Sequence, residues 1–293
     1  MTEIAKFREK LISARVYLIA LMIVGLAPAC AFVDQRTAPE GNPPPSISTG
    51  VPTVNVAQLP FGNPSNATSD PANEENYLIV RDSSVISYNN SRGTANWIAW
   101  RTSRRDLGNS IPRPMFEPDP DLPREFRRIG YYDYSGSGYD RGHLVPAADR
   151  FGQREQFRHT FYLTNIIPQT SDLNQFPWEK LESYARSLVY RGSEVYSIAG
   201  VYGEAERIKN KVTVPTNCWK VIVVFRRGQP NDRITSATRI IAVDMPNTDG
   251  IADDGWEKYR TTIRAIEQKT GFDLFSSLPR DLQEQIETRS DGN

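Results

Sequence analysis

The 293-residue chain is 39% hydrophobic and 24% charged, which suits a folded globule and excludes collagen-like and wholly disordered readings. Its 35 basic and 35 acidic side chains cancel, so no strong overall field attracts or repels a polyanion. Two cysteines (Cys30, Cys218) cannot build a disulfide scaffold and two histidines (His143, His159) cannot build a three-imidazole site, so a hydrolytic metal would rest on oxygen ligands.

Lys6, Arg8, Lys10 and Arg15 precede an apolar run that ends in Ala27-Pro28-Ala29-Cys30-Ala31. A basic stretch, a short apolar stretch and small residues at a cleavage site are the parts of an export signal, assigned here to residues 1–30. Ala27-Pro28-Ala29-Cys30 also resembles a lipoprotein cleavage site, which would make Cys30 a lipidation site and the protein a membrane-anchored lipoprotein. The alternatives are ordinary cleavage, giving a secreted or periplasmic protein, and a retained anchor. Residues 31–74 are rich in Pro, Asn and Ser with few large apolar side chains, and are expected to be a tether. Removing the signal leaves a slightly acidic remainder, which argues against a passive nucleic-acid coat but not against an enzyme with a local positive cleft.

One domain is expected over 75–285, followed by a polar tail, 286–293. Tyr77 to Tyr88 reads as a strand pair or one irregular strand. Asn89-Asn90-Ser91-Arg92-Gly93 reads as a turn, and Asn96 to Arg101 as the returning strand. Pro112, Pro114, Pro118 and Pro120 make Gly108 to Asp121 a loop. Between Arg81 and Thr160 the basic residues are arginine, with no lysine, a preference that suits bidentate contacts. Strands follow at Glu194–Gly200, Trp219–Phe225 and Arg239–Met245. Helical spacing links Trp178, Leu181, Ala185 and Leu188, and again Trp256, Tyr259, Ile263 and Ile266. The pattern predicts an α+β fold with a mainly antiparallel sheet flanked by helices. Cys218, beside a strand, is expected to be a buried, inert thiol.

Two stretches could carry chemistry. In Gly136-Ser137-Gly138-Tyr139-Asp140-Arg141-Gly142-His143, glycines allow a sharp turn that would bring Asp140 and His143 to one pocket, and a histidine can take a proton from water near neutrality. A structural histidine inside a turn is the plainer account. The second stretch runs from Thr160 to Gln175 and leads into a helix. Steps of four from Asn174 to Trp178, Glu182 and Arg186 put these groups on one helical face if the helix starts near Pro177. A solvated face capped by Asn174 has the same pattern.

Together the two stretches resemble the DNA/RNA non-specific endonucleases with the ββα-metal fold. Asp140-Arg141-Gly142-His143 matches the signature tetrapeptide of that family, and Thr164-Asn165-Ile166-Ile167-Pro168-Gln169 with Asn174 and Glu182 matches its second block. Flanking blocks, among them Tyr88 to Thr94 and Lys211 to Pro215, are most like those of exported cyanobacterial sugar-non-specific nucleases. The resemblance implies Mg²⁺-dependent hydrolysis of DNA and RNA to 5′-phosphate ends, with Mn²⁺ as a substitute. His143 would be the general base and Asn174 the one direct protein ligand of Mg²⁺. Glu182 would hold the ion through its water. Arg141 and Arg186 would face phosphate, Asp140 would orient the signature turn, and Asn165 and Gln169 would support the metal loop or phosphate contacts. The loop arginine of the family is placed one residue off, at Arg113. The oligomeric state and an inhibitor protein that protects the producing cell are both left open, and export makes such an inhibitor less necessary. No base-reading motif accompanies these residues, so little sequence preference is expected. A non-catalytic nuclease-like scaffold and a phosphoesterase for small nucleotides are the rival readings.

Overall fold

A computed structural model describes residues 59–228 and 233–292; the expected export segment, Cys30 and most of the expected tether lie outside the described residues. The hydrophobic runs pair as expected. β1 (Tyr77–Val80) and β2 (Val85–Asn89) form the first hairpin, and the Asn89–Gly93 turn returns as β3 (Thr94–Thr102), with a register shift between Ser87 and Tyr88. β6 (Glu194–Tyr202), β9 (Asn217–Phe225) and β10 (Arg239–Pro246) complete a six-stranded sheet in the order β1-β2-β3-β6-β9-β10, antiparallel at every pairing. A two-stranded ribbon, β4 (Asp140–His143) with β5 (Ile166–Gln169), and a short hairpin, β7 (Glu206–Ile208) with β8 (Val212–Val214), stand apart from it.

Stretches such as Val221-Ile222-Val223-Val224-Phe225 read as unbroken apolar runs because both faces of the sheet are covered. On one face Cys218, Ile222, Val224, Ile241, Val243 and Met245 meet Trp178, Leu181, Ala185 and Leu188 of the region around helix α3 (Glu179–Tyr190). On the other face Trp219, Val221, Val223 and Phe225 meet Ile263 and Ile266 of α4 (Ile263–Thr270) and Ile286 of α5 (Arg280–Glu287). Two short helices complete the set: α1 (Arg154–His159) lies between β4 and β5 in chain order, and α2 (Ser171–Leu173) between β5 and α3.

Four expectations need correction. The tether was expected to extend through residue 74, yet Leu59, Phe61 and Ala67 are buried in the second face's core, so the folded body begins by Leu59. Asn63 and Asn76 make up for the polar composition there by bonding the segment to itself and to Ser65 and Ser87. The polar tail 286–293 is docked: Ile286 and Glu287 are buried, and Asp291 accepts Arg239 Nε at 2.8 Å and Nη2 at 2.7 Å. The pattern from Trp256 to Ile266 is two pieces, not one helix. A 3₁₀ turn, Trp256–Tyr259, packs on the first face; the chain then bonds to the edge of β10 (Thr261 N–H to Ala242 O, 2.9 Å), and Thr262 caps α4 on the second face. The helix expected to start near Pro177 starts earlier, at Ser171, capped by Thr170, and passes through a π turn, Asn174–Trp178, which contains that proline. The wide turn swings Trp178 into the core, 1% exposed, while Asn174 and Glu182 keep to the open side.

Candidate active site

The signature tetrapeptide, expected as a turn, is strand β4, in antiparallel register with Ile166–Gln169. Gly142 is required there: a Cβ would sit 1.9 Å from Oε1 of Gln169. Gln169 is itself fully buried, against Gly142 and beside the Cys218 thiol, so it braces the ribbon and cannot touch phosphate. Asn165 is equally internal. Its amide donates to the carbonyls of Thr160 (2.8 Å) and Val145 (3.1 Å) and accepts the Val145 N–H at 2.9 Å, which fixes the chain leaving β4. Burial pushes the Cys218 thiol up to about 12, as an inert core thiol requires.

Beyond β4 the side chains converge. Arg113, His143, Asn174, Gln175, Glu179, Glu182 and Arg186 line one cleft of about 350 Å³. The imidazole of His143 lies between Phe116 and Phe161, at ring-centroid distances of 5.5 and 5.1 Å, and its Nε2 is buried without a hydrogen-bond partner. Burial, with the Arg113 guanidinium adding to it, pushes its pKa down to about 4, so the ring is neutral at pH 7 and able to accept a proton. The main chain at this point is anchored as well, since Trp178 Nε1 donates to the His143 carbonyl at 3.3 Å.

Asp140, at the other end of β4, acts on Asn174. Its Oδ2 accepts from Asn174 Nδ2 at 2.9 Å and from Gln175 Nε2 at 2.8 Å, and its Oδ1 accepts from Ser171 Oγ at 3.1 Å. With the amide nitrogen committed, the Asn174 oxygen is left for the cleft. Glu182 stands on α3 in the same cleft and accepts from Lys220 Nζ at 2.9 Å. That ammonium is buried, 4.0 Å above the Trp178 ring. Burial raises the Glu182 pKa, and Lys220 opposes the rise. A neutral amide oxygen beside a carboxylate is an all-oxygen donor set, suited to a hard divalent cation that keeps much of its water.

The arginines divide. Arg113 and Arg186 reach the cleft; Arg186 is steadied by Ser183 Oγ (2.8 Å), Asp149 (3.3 Å) and Glu179 (3.4 Å). Arg141, expected to face phosphate, does not line the cleft. It donates to the Tyr131 carbonyl at 2.9 Å and stacks over the Tyr131 ring at 4.2 Å. Lying two residues from His143 on a pleated strand, it shares Phe116 with the imidazole but is turned to the tyrosines. His159 stacks on Tyr162 and stays out of the cleft.

Two contributors were missed from sequence. Asp149, 5% exposed, accepts from Thr102 Oγ1 (3.0 Å) and Trp100 Nε1 (3.2 Å) while pairing with Arg186. Lys220 had a visible signal: a single charge inside the apolar run of β9 has to be paired.

Residues 62–281 match the DNA/RNA non-specific endonuclease family. A nuclease of Nostoc sp. is 41% identical over 271 residues, covering 92% of this chain and 96% of that protein. A nuclease of Serratia marcescens is 31% identical, over 73% of this chain and 80% of its own. The fold is similar to that of a chain in the crystal structure of the EndoG/EndoGI complex, with a TM-score of 0.63 at 23% identity, covering 77% of this chain and 92% of that one. The chain belongs to the DNA/RNA non-specific endonuclease family, Mg²⁺-dependent hydrolases of nucleic-acid phosphodiester bonds built on the ββα-metal fold.

Proposed function

We propose that the protein cuts DNA and RNA internally, without regard to sequence, to leave 5′-phosphate ends, and that His143 is its general base. The observation that carries this reading is one cleft holding both a neutral imidazole and an amide oxygen that Asp140 leaves unengaged. His143 takes the proton of the attacking water. Asn174, directly, and Glu182, through water, would hold Mg²⁺ or Mn²⁺, which when bound supplies positive charge to the scissile phosphate and the leaving oxygen. Asp140 sets the direction of the Asn174 amide, and Lys220 favours the ionised form of Glu182. Arg113 and Arg186 offer guanidinium donors to phosphate. Arg141 keeps the Tyr131 side of the ribbon in place and acts on the site only through that ribbon.

Export fits the N-terminal composition, with Cys30 either lipidated or lost to ordinary signal cleavage. An inhibitor protein is a fitting partner, given the EndoG relative solved with EndoGI. Among the described residues no helix is long and apolar enough to cross a membrane. The test is plasmid DNA and RNA incubated with Mg²⁺ or EDTA and the wild-type or His143→Ala protein. Time-dependent fragmentation by wild type with Mg²⁺ alone is expected. Normal cleavage by folded His143→Ala would overturn the mechanism, and binding without turnover by wild type would overturn the activity.

A further inference from the structure

A second concavity, of about 680 Å³, adjoins the cleft and falls within the size of pockets that take small ligands. Ile111, Pro112, Pro114 and Phe157 supply its apolar part, and Arg154, Glu155 and Arg158 of α1 its polar part. Two links make it continuous with the cleft. Arg113, which lines the cleft, stands in the loop between Pro112 and Pro114, which line the concavity. The Phe157 ring lies 5.6 Å from that of Phe151 in the cleft wall and 5.1 Å from Phe161, which in turn lies 5.1 Å from the His143 imidazole. A nucleic-acid strand lying in the cleft can therefore reach the concavity with a neighbouring nucleotide.

The lining selects what sits there. A floor of Ile111, two prolines and the Phe157 ring disfavours a charged phosphate, which would lose its water on entering. It suits a flat, neutral ring, and Glu155 on the rim offers an acceptor to the N–H groups that base edges carry. Guanidiniums stand on either side: Arg113 at the cleft, Arg154 and Arg158 on α1. Arg158 is spent on Glu117 at 2.9 Å, whereas Arg154 is exposed and has no ion-pair partner among the described residues. Charge, apolar floor and charge again match a chain that alternates phosphate with an uncharged ring. The prolines also fix φ on both sides of Arg113, so the loop is stiff before substrate arrives.

We infer that this concavity is a nucleobase subsite: it takes the base of a nucleotide neighbouring the scissile phosphate, while Arg154 meets the phosphate beyond it. The inference rests on the nuclease reading and adds to it a preference for unpaired strands. A base enters only after leaving its stack, so single-stranded DNA or RNA offers one at once and a duplex only where it opens. Contact between a ring and an apolar floor does not read the base, which keeps cleavage indifferent to sequence.

The experiment measures binding of the full chain by fluorescence anisotropy in EDTA, where nothing is cut. The probes are a labelled single-stranded oligonucleotide and the same strand made abasic throughout. Wild type should bind the intact strand about 10-fold more tightly. Ile111→Asn, which makes the floor polar, should bring the two strands to within about 2-fold of each other. Should that variant fail to fold, Ile111→Ala gives the same comparison with a smaller narrowing of the ratio. Arg154→Ala, at an exposed position, should weaken both strands alike and reduce the slope of log affinity against log salt by about 0.7. Equal binding of the two strands by wild type would overturn the subsite, as would an undiminished ratio in the folded Ile111 variant. An unaltered salt slope would remove Arg154 from it. Failure of the nuclease reading looks different: wild type with Mg²⁺ then leaves plasmid DNA whole, whatever its preference between the two strands.

Discussion

Asp140 Oδ2 accepts the Asn174 side-chain N–H at 2.9 Å, so a residue of the signature strand fixes the amide of a residue in the π turn. This makes Asp140 a positioning residue. Asp140→Asn should raise the Mg²⁺ concentration for half-maximal cleavage by about 10–100-fold, the usual cost of losing the partner that orients a ligand. Melting should change little. A Mg²⁺ titration settles it, and an unaltered requirement would count against the arrangement.

For His143 the prediction concerns both rate and pH. His143→Ala should lower kcat by about 10²–10⁴-fold while nucleic-acid binding persists. Because the ring is pushed down to about 4, the acid limb of kcat/KM should fall well below 6.5. The stability sign follows the same shift. As pH drops from 6.5 towards 4 the unfolded chain binds the proton and the folded chain does not, so the His143 contribution is complete above 6.5 and is lost as pH falls. Denaturation of wild type and His143→Ala across pH 4–7 reads that difference.

Lys220 and Glu182 form a buried pair, with side chains 2% and 11% exposed. Lys220→Met leaves a carboxylate without its counter-charge and should cost about 3–5 kcal/mol. It should also weaken Mg²⁺ use, since the stranded Glu182 would hold a proton more readily. A double-mutant cycle with Glu182→Gln, by urea denaturation, should show strong coupling. Additive effects would remove the pair from the account.

Arg186 and Arg141 should separate in a salt series. Arg186→Ala is expected to raise KM and reduce the slope of log affinity against log salt by about 0.7–0.9. Arg141→Ala should lower Tm and leave that slope unchanged, because its guanidinium is spent on Tyr131. A reduced slope for Arg141→Ala would mean that it reaches phosphate after all.

Gly142→Ala should destabilise the ribbon by about 1–3 kcal/mol, since the new methyl meets Gln169 Oε1 at 1.9 Å. Shortening the opposing side chain, as Gln169→Ser, should recover part of the loss, read as Tm of the single and double variants. No recovery would locate the strain elsewhere.

Much of this architecture was legible because local pattern and burial agree. The Val- and Ile-rich strands and the helix through Leu181, Ala185 and Leu188 declare themselves by period alone. Asn174, Glu182, His143 and Arg113 were all named in advance and share one cleft. What escaped depends on distant partners. Strand β4 exists by pairing with Ile166–Gln169, which no window around its glycines contains. The direction of Arg141 is set by Tyr131, and the burial of Gln169 by Gly142. Composition also hid the start of the body: three apolar anchors, Leu59, Phe61 and Ala67, suffice to dock a segment otherwise rich in polar residues.

The main sheet has a practical consequence, because its two covers share no side chains and alternate residues of each strand serve one or the other. Directed selection for heat resistance could rework Leu274, Phe275 and Ile286 without disturbing turnover, and selection for altered cleavage could work around α3 without weakening the opposite half. The strand backbones would then join the two trials, together with Arg239, which bonds Tyr184 of α3 on one side and Asp291 beyond α5 on the other.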